Sequence, residues 1–560
     1  MSPATPPPSY AFEVPPNIKA PPAYSAPTEV TVGMGLANKP FVSAAQLKDH
    51  LTLLHAFSEL KIKVGGMADN TVPCLPHDSE RRWAWFVGLA VERFEKWCKA
   101  LRPSHSEKGM ATVLPPIDVL MVWHSYLLNP RWHAEDISRS DALEGLQSAE
   151  FAMASSIGDD LGDLLANEPA KQRVDNWVQL TATPFDPFAA AMQMATREIA
   201  CPKCQGVVYA PYMTETGTGY LQYGFAMKCP REACAFGITK ETLALRKFAT
   251  DLARSRLVDV LAGTLHTPTN IAHHERARAV KVKMLNSSSL MRPAANDLAP
   301  ISDAAYADLL MKTANYKLEE LRTKLAMNMK GKGGKLIDRI MSAYVDDKMF
   351  SVELVGAVLR QGSFVAKMYD LQWTQVGFFD SPDDEVKLQR IIARYHAFLT
   401  LMLVSPGSFF VPTLDIDLAW HTHQLMASKY SRDTLKHVGR FIDHDDNVDG
   451  SELSSSFETT CRAWEDRYGV QYTHCGLDAA VDVVADVAPV AVEEVQTWSW
   501  TSSRRRSERA VEAAGAAVGA DAGVAAAEVP VLERSGRAVG AAEAGAGVVE
   551  AVAAAVAEVV

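Results

Sequence analysis

Between Gln46 and Leu60 the large apolar residues Leu47, Leu51, Leu54 and Phe57 recur at steps of three and four, the spacing that lines one face of an α-helix. A second such stretch runs from about Arg82 to Leu101, with Trp83, Phe86, Leu89, Val91, Phe94 and Trp97 as its apolar content. Helical patterns continue over 140–165, 240–263, 303–327, 335–345, 351–370, 384–404 and 414–439. The two ends differ. Residues 1–40 are dominated by proline and carry too few large apolar groups to offset the entropy of ordering, so a disordered head of polyproline II character is expected. Residues 477–560 form a low-complexity tail of mainly Ala, Val, Gly and Glu, for which little order is expected. The pattern predicts a mainly α protein.

The chain also repeats itself. Pro115–Leu128 aligns without gaps on Pro412–Leu425, both reading Pro-x-[Ile/Leu]-Asp-[Val/Ile]-x-x-x-Trp-His-[Ser/Thr]-x-x-Leu, at a constant offset of 297. Upstream, Arg93, Phe94 and Trp97 match Arg394, Tyr395 and Phe398 at an offset of 301, so the second connecting loop is four residues shorter. So wide a spacing is duplicated helical architecture, not a short-period solenoid. The expected organisation is a head (1–40), a first helical half (41–195), a four-cysteine insert (196–239), a second, related helical half (240–476) and the tail (477–560).

Composition narrows the classes. A chain of 560 residues has room for roughly three to five domains, and 48% hydrophobic with 22% charged residues suits a globular body with a sizeable core. From Asp478 onward there are 6 basic and 13 acidic residues, so much of the net charge of −11 sits in the tail. The nearly balanced body lacks the basic excess of a general nucleic-acid binder. With no run of about 20 apolar residues, no bilayer span is expected. Met1–Pro8 has neither a charged n-region nor an apolar h-region, so no secretory signal is expected. Eight cysteines, half of them in one ligand-like cluster, suit a reduced, cytoplasmic setting.

Cys201-Pro-Lys-Cys204 and Cys229-Pro-Arg-Glu-Ala-Cys234 give C-x2-C, a 24-residue spacer, then C-x4-C. Two short cysteine turns, each followed by glycine (Gly206, Gly237), suit one tetrahedral zinc ion with four thiolate ligands. Between them, Gly206-Val-Val-Tyr and Tyr220-Leu-Gln-Tyr-Gly-Phe read as short strands, so a small zinc-ribbon-like β insert is expected. Such a closed site is structural and holds together a piece too small for its own core. Cys74, Cys98, Cys461 and Cys475 lack this spacing.

The repeated Trp-His segment is the other candidate for chemistry. Pro116 with Asp118, and Pro412 with Asp415, read as helix starts, because proline fits the first turn and an acid there meets the positive end of the helix dipole. In the second copy Asp417 and His421 are four apart on one helical face. His423 points elsewhere unless the helix breaks, and Asp415 lies about 120° off the face of His421. Two readings follow. Asp415, Asp417, His421 and His423 could hold zinc or iron for hydrolysis or oxidation. Alternatively, a packed tryptophan and a hydrogen-bonded histidine lock the two halves together. The first copy favours the second reading: it keeps Asp118 and His124 but has Leu120 and Tyr126 at the other two positions.

The head carries Pro7-Pro8-Ser9-Tyr10 and Pro21-Pro22-Ala23-Tyr24, two Pro-Pro-x-Tyr sequences of the kind WW domains read. Two in one stretch could strengthen binding through effective concentration. Asp445–Gly450 begins like a calcium loop, but Ser456 stands where the bidentate Glu should be, so an acidic turn is expected. Lys330–Lys335 is Gly-rich and basic without the P-loop pattern, and reads as a loop between helices.

Val411–Leu425, Ser351–Phe364 and the earlier Trp123-His124 copy resemble the glycine-rich domain-containing protein family of plants and fungi, over about residues 42–475. The resemblance implies a helical domain of unknown biochemical activity and supplies no catalytic residues. Its Trp-His-x-His signature falls on Trp420, His421 and His423, with Trp123 and His124 in the first copy. Relatives often end in Gly-rich segments, unlike Asp478–Val560 here. The expected function is a non-catalytic interaction or adaptor protein with a structural zinc site and WW-domain partners such as ubiquitin ligases. The alternatives are a metal-dependent hydrolase or oxygenase at the Asp/His cluster and, more weakly, nucleic-acid binding through the zinc insert.

Overall fold

The computed structural model describes residues 39–256, 258–286, 290–293, 301–329, 334–445 and 450–473, with the backbone of 30–32 and 35–37. The Pro-Pro-x-Tyr residues, the tail from 477, most of the acidic turn at 445–450 and residues 330–333 lie outside the described residues. Helices dominate. A short antiparallel pair, β1 (Val30–Val32) and β2 (Gly35–Ala37), precedes α1 (Ala44–Gly65). A capping box starts α1: the Ser43 hydroxyl accepts from the Gln46 N–H, and the Gln46 carboxamide accepts from the Ser43 N–H. Next come α2 (Ser79–Ala100), capped by Asp78, then α3 (Ile117–Leu127) and α4 (Pro130–Arg139). The later series is α5 (Leu354–Asp370), α6 (Pro382–Val404), α7 (Leu414–Gln424) and α8 (Ala427–His437). Among the described residues, no helix is long and apolar enough to cross a membrane.

Several boundaries differ from the pattern reading. The stretch 414–439 is two helices, broken at Leu425 and Met426, as the first copy breaks at Leu128 and Asn129. In the first copy Pro130 forces the restart; in the second no proline marks it, but the same backbone bonds close it, Leu425 N–H to His421 O and Met426 N–H to His423 O, both 3.1 Å. The stretch 303–327 divides at Asn315 and Tyr316, which both adopt positive φ. Helices at Lys171–Thr181, His274–Leu285 and Gly450–Tyr468 carry apolar periodicity too sparse to have been read.

Both Trp-His copies contribute to one hydrophobic core, which runs from Phe41 to Leu243 and resumes from Phe350 to Tyr472. Residues 245–344 build a second core from Lys240–Ala253, His274–Leu285, Asp303–Thr313, Leu318–Asn328 and Gly334–Ser342. The span 240–476 therefore divides between two cores: residues 350–472 join the core of the first half, and residues 245–344 build their own.

Matched positions of the two copies make matched contacts. Arg93 on α2 pairs with Asp118 on α3 at 3.2 Å, and Arg394 on α6 pairs with Asp415 on α7 at 2.6 Å. Trp97 packs on Trp123 with ring centres 5.4 Å apart, and Phe398 on Trp420 at 5.9 Å. Further along, Tyr126 meets His133 edge-on and bonds Asp136 at 2.8 Å, while His423 meets Tyr430 edge-on and approaches Asp433 at 3.3 Å. These equivalences carry the correspondence downstream to Asp136 and Asp433, beyond the fourteen aligned residues.

The two Arg–Asp pairs differ in environment. The side chains of Arg93 and Asp118 are 1% and 2% exposed, those of Arg394 and Asp415 8% and 19%. Burial pushes the Asp118 carboxyl above its ordinary range and the Arg93 guanidinium below its own, so desolvation outweighs their mutual attraction. Removing one partner leaves an unpaired buried charge, whereas replacing both with apolar groups is close to neutral. Arg93→Met should therefore lower unfolding free energy by about 3–5 kcal/mol. Adding Asp118→Leu should recover most of that loss, as read from denaturant midpoints.

Candidate metal centres and the histidine latch

The four-cysteine insert is two hairpins. β3 (Thr196–Ala200) pairs antiparallel with β4 (Val207–Pro211), and the turn between them carries Cys201 and Cys204. β5 (Ala226–Lys228) pairs with β6 (Gly237–Thr239) across the turn that carries Cys229 and Cys234. The strand expected over Tyr220–Phe225 is instead a set of turns. The Gln222 carboxamide oxygen accepts from the N–H groups of Thr214 (3.0 Å) and Gly219 (2.7 Å), which folds the chain back before β5 begins.

The four sulfur atoms lie within 4.8 Å of one another. Cys201 and Cys234 are 3.8 Å apart, Cys204 and Cys229 3.7 Å. Four sulfurs at about 2.3 Å from one tetrahedral ion would be separated by about 3.8 Å, so the set fits a metal and is far too open for a disulfide. The backbone N–H of Gly206 points at the Cys204 sulfur and draws that thiol down to about 7, while burial pushes Cys201 up to about 12. The residue after each second cysteine, Gln205 or Ala235, has positive φ, which turns the chain tightly enough for these bonds.

A buried charged cluster fastens the insert to the helical body. Arg197 on β3 bonds Glu92 and Glu95 on α2, the latter at 2.8 Å, and Asp347 at 3.1 Å. Lys348 also bonds Glu92, and the Tyr220 hydroxyl donates to Asp347 at 2.6 Å. Gly88 lets Leu221 approach α2, since a Cβ there would lie 2.9 Å from its methyl groups.

Where the two copies meet, imidazoles form a relay. The Thr422 hydroxyl donates to Leu418 O at 2.7 Å, so it accepts from His50 Nδ1 at 2.8 Å. His50 Nε2 is then an acceptor, and His124 Nε2 donates to it at 2.9 Å. His50, on α1, thus ties the histidine of the first copy to a threonine of the second. The mirror-image tie uses His444: its Nδ1 donates to Leu128 O at 2.9 Å, and its Nε2 faces His421 Nε2 at 3.1 Å. Burial holds His50 well below its ordinary value and pushes His124 down to about 3, so both are neutral at physiological pH.

Asp417 joins the second tie. Its Oδ1 lies 3.1 Å from His421 Nε2 and 4.0 Å from His444 Nε2. The expected four-residue cluster is thereby divided. Asp417 and His421 come together, Asp415 is taken by Arg394, and His423 turns to the Tyr395 hydroxyl at 2.9 Å and to Asp433. In the first copy Asp118 faces Arg93 and His124 faces His50. A groove of about 310 Å³ between α1, α2, α3 and α5, walled by Phe57, Ile62, Trp83, Met121 and Val358, reaches His124 but none of Asp417, His421 and His444.

Residues 308–433 match the family described as Glycine-rich domain-containing protein-like. Over that segment the chain is similar to the glycine-rich domain-containing protein family. Two members from Arabidopsis thaliana are similar: Glycine-rich domain-containing protein 2, 38% identical over 138 residues, and Glycine-rich domain-containing protein 1, 35% identical over 138 residues. Each alignment covers 23% of this chain and spans 16% of the relative's length. No solved structure matches. The segment matching the glycine-rich domain-containing protein family holds α5 to α7 and thus the second Trp-His copy; the first copy and all four cysteines lie outside it.

His50 and His444 were missed because neither stands in a motif; their roles come from loops and packing that place them opposite the Trp-His helices. Neutral buried histidines carry a pH signature. Unfolded imidazoles protonate near about 6.5, whereas His124 and His396 are pushed down to about 3 and His423 to about 4, chiefly by burial. As pH falls the unfolded state takes up protons first, so stability is constant above about 6.5 and declines below it, by up to about 1.4 kcal/mol per pH unit for each such histidine. Thermal melts between pH 7.5 and 5 should show a progressive fall in Tm, and a flat profile would contradict the neutral latch.

Proposed function

We propose that this chain is a non-catalytic interaction protein of the cytoplasm, in which a structural zinc ion fixes the cysteine insert and the Pro-rich head recruits WW-domain proteins. The observation that supports the zinc reading is the spacing of the sulfurs, 3.7 and 3.8 Å, which suits a tetrahedral ion with four thiolate ligands. A shell closed in this way has no place for substrate or water, so the ion contributes folding free energy and not chemistry.

The adaptor part of the reading rests on sequence. Tyr10 and Tyr24 end two Pro-Pro-x-Tyr motifs ahead of the folded body that starts near Phe41. A preformed polyproline II segment loses little entropy on docking, and two motifs on one tether bind a tandem receptor far more tightly than one. Ubiquitin ligases with tandem WW domains are partners of this chemistry.

Two measurements test the proposal. Elemental analysis of the purified full chain should find zinc that is lost when Cys201→Ser is combined with Cys204→Ser, with the 196–239 segment becoming protease-sensitive. A zinc content undiminished in that variant would refute the assignment. On an immobilised tandem WW domain, Tyr10→Ala or Tyr24→Ala alone should weaken retention about tenfold or more, and the pair should abolish it. Unchanged binding of the double variant would remove the adaptor function.

A further inference from the structure

Two groups among the described residues place metal-capable atoms within reach of one ion: the four cysteines, and Asp417 with His421 and His444. We propose that the second group is a separate site for a divalent first-row transition ion, held by two imidazoles and one carboxylate.

Distances carry the assignment first. The three donor atoms form a triangle with sides of 3.1, 3.1 and 4.0 Å. Ligands at about 2.1 Å from one ion would lie about 3.0 Å apart at right angles and about 3.4 Å apart at the tetrahedral angle. The observed triangle is that of one face of such a shell, with its longest side slightly open.

The hydrogen-bond inventory points the same way. Because Leu128 O can only accept, the proton of neutral His444 sits on Nδ1, and the Nε2 lone pair is turned toward His421 and Asp417. Orientation of one ring nitrogen by a backbone carbonyl is the usual outer support of a metal-bound histidine. Asp417 Oδ1 is buried and faces His421 Nε2 at 3.1 Å without a well-aligned hydrogen bond. A carboxylate oxygen left in that state is costly unless a cation completes it.

The first copy supplies an internal control. It has the same helix and the same histidine, His124, tied by His50, yet the position of Asp417 is the buried Leu120. The tie between copies therefore needs no carboxylate, and Asp417 is surplus to it. The donor set selects the ion: imidazole with carboxylate and no sulfur suits zinc, iron or manganese, whereas calcium and magnesium take oxygen alone. The side chains of Asp417 and His444 keep 19% and 11% exposure, whereas His421 is buried.

Cobalt titration of the metal-stripped full chain tests this independently of the head and its partners. Two equivalents should bind. One should show the intense thiolate-to-cobalt absorption of the cysteine site, the other only the weak bands of nitrogen and oxygen ligation. Asp417→Asn and His444→Gln should each weaken the second equivalent at least about 100-fold while leaving the first, and the helical circular dichroism, unchanged. A single equivalent in the unaltered chain, or a second that survives both substitutions, would overturn the proposal. Should the variants lose their helical signal, one equivalent of copper added to the zinc-loaded unaltered chain decides: electron paramagnetic resonance coupling to two imidazole nitrogens supports the site, and coupling to fewer refutes it.

Discussion

A buried imidazole carries a donor and an acceptor, and in an apolar interior each has to find a partner. That requirement organises the contact between the two Trp-His copies. His124 and His421 each stand buried on a short helix whose own backbone groups are already used, so their partners must arrive from elsewhere in the chain. One comes from α1 and the other from the segment after α8. Each of those two partners in turn spends its second nitrogen on the opposite copy, on Thr422 or on Leu128 O. Neither copy can satisfy its histidine without bringing the other along, so the polar network specifies the pairing that the hydrophobic core merely permits.

The copies have kept the architecture and divided the chemistry. The first is apolar and closed: its Arg–Asp pair is sealed, its groove-facing histidine is neutral, and Leu120 and Tyr126 fill the remaining positions. The second has taken on Asp417 and His423, a partly exposed Arg394–Asp415 pair and a loop histidine at its edge. A carboxylate beside two imidazoles is tolerable there because that edge reaches solvent, and would be prohibitive at the position of Leu120. The insert follows yet another strategy, in which four clustered cysteines and a compact network of buried ions, Arg197 and Lys348 against Glu92, Glu95 and Asp347, stand in for the apolar core that so small a piece cannot build.

How much of this was legible in the sequence depended on how local each interaction is. The cysteine turns are local: two sulfurs three or five positions apart converge, and the four residues meet where their spacing placed them. Asp417 and His421 are one helical turn apart and come together for the same reason, while Asp415 and His423 diverge by the angle that the helix imposes. The mainly α class followed from periodicity, which is again local. His50, His444 and Glu92 could not be read, because their positions depend on contacts across 23 to 372 residues. Tyr220–Phe225 misled by composition: its aromatic, strand-like residues are held in turns by the Gln222 side chain. The break between α7 and α8 was not read, because no proline marks it in the second copy.

The relay between the copies also bears on modularity. The segment that matches the family, 308–433, opens inside the helix Asp303–Thr313 of the second core and closes inside α8. It contains His421 and Thr422 but neither His50 nor His444. Cut out by itself it would present two unmatched polar faces and an uncovered apolar one, so what recurs between these proteins is an interlocking part, like half of a clasp, rather than a self-sufficient domain. Wherever such a part folds, the chain around it has to furnish the other half.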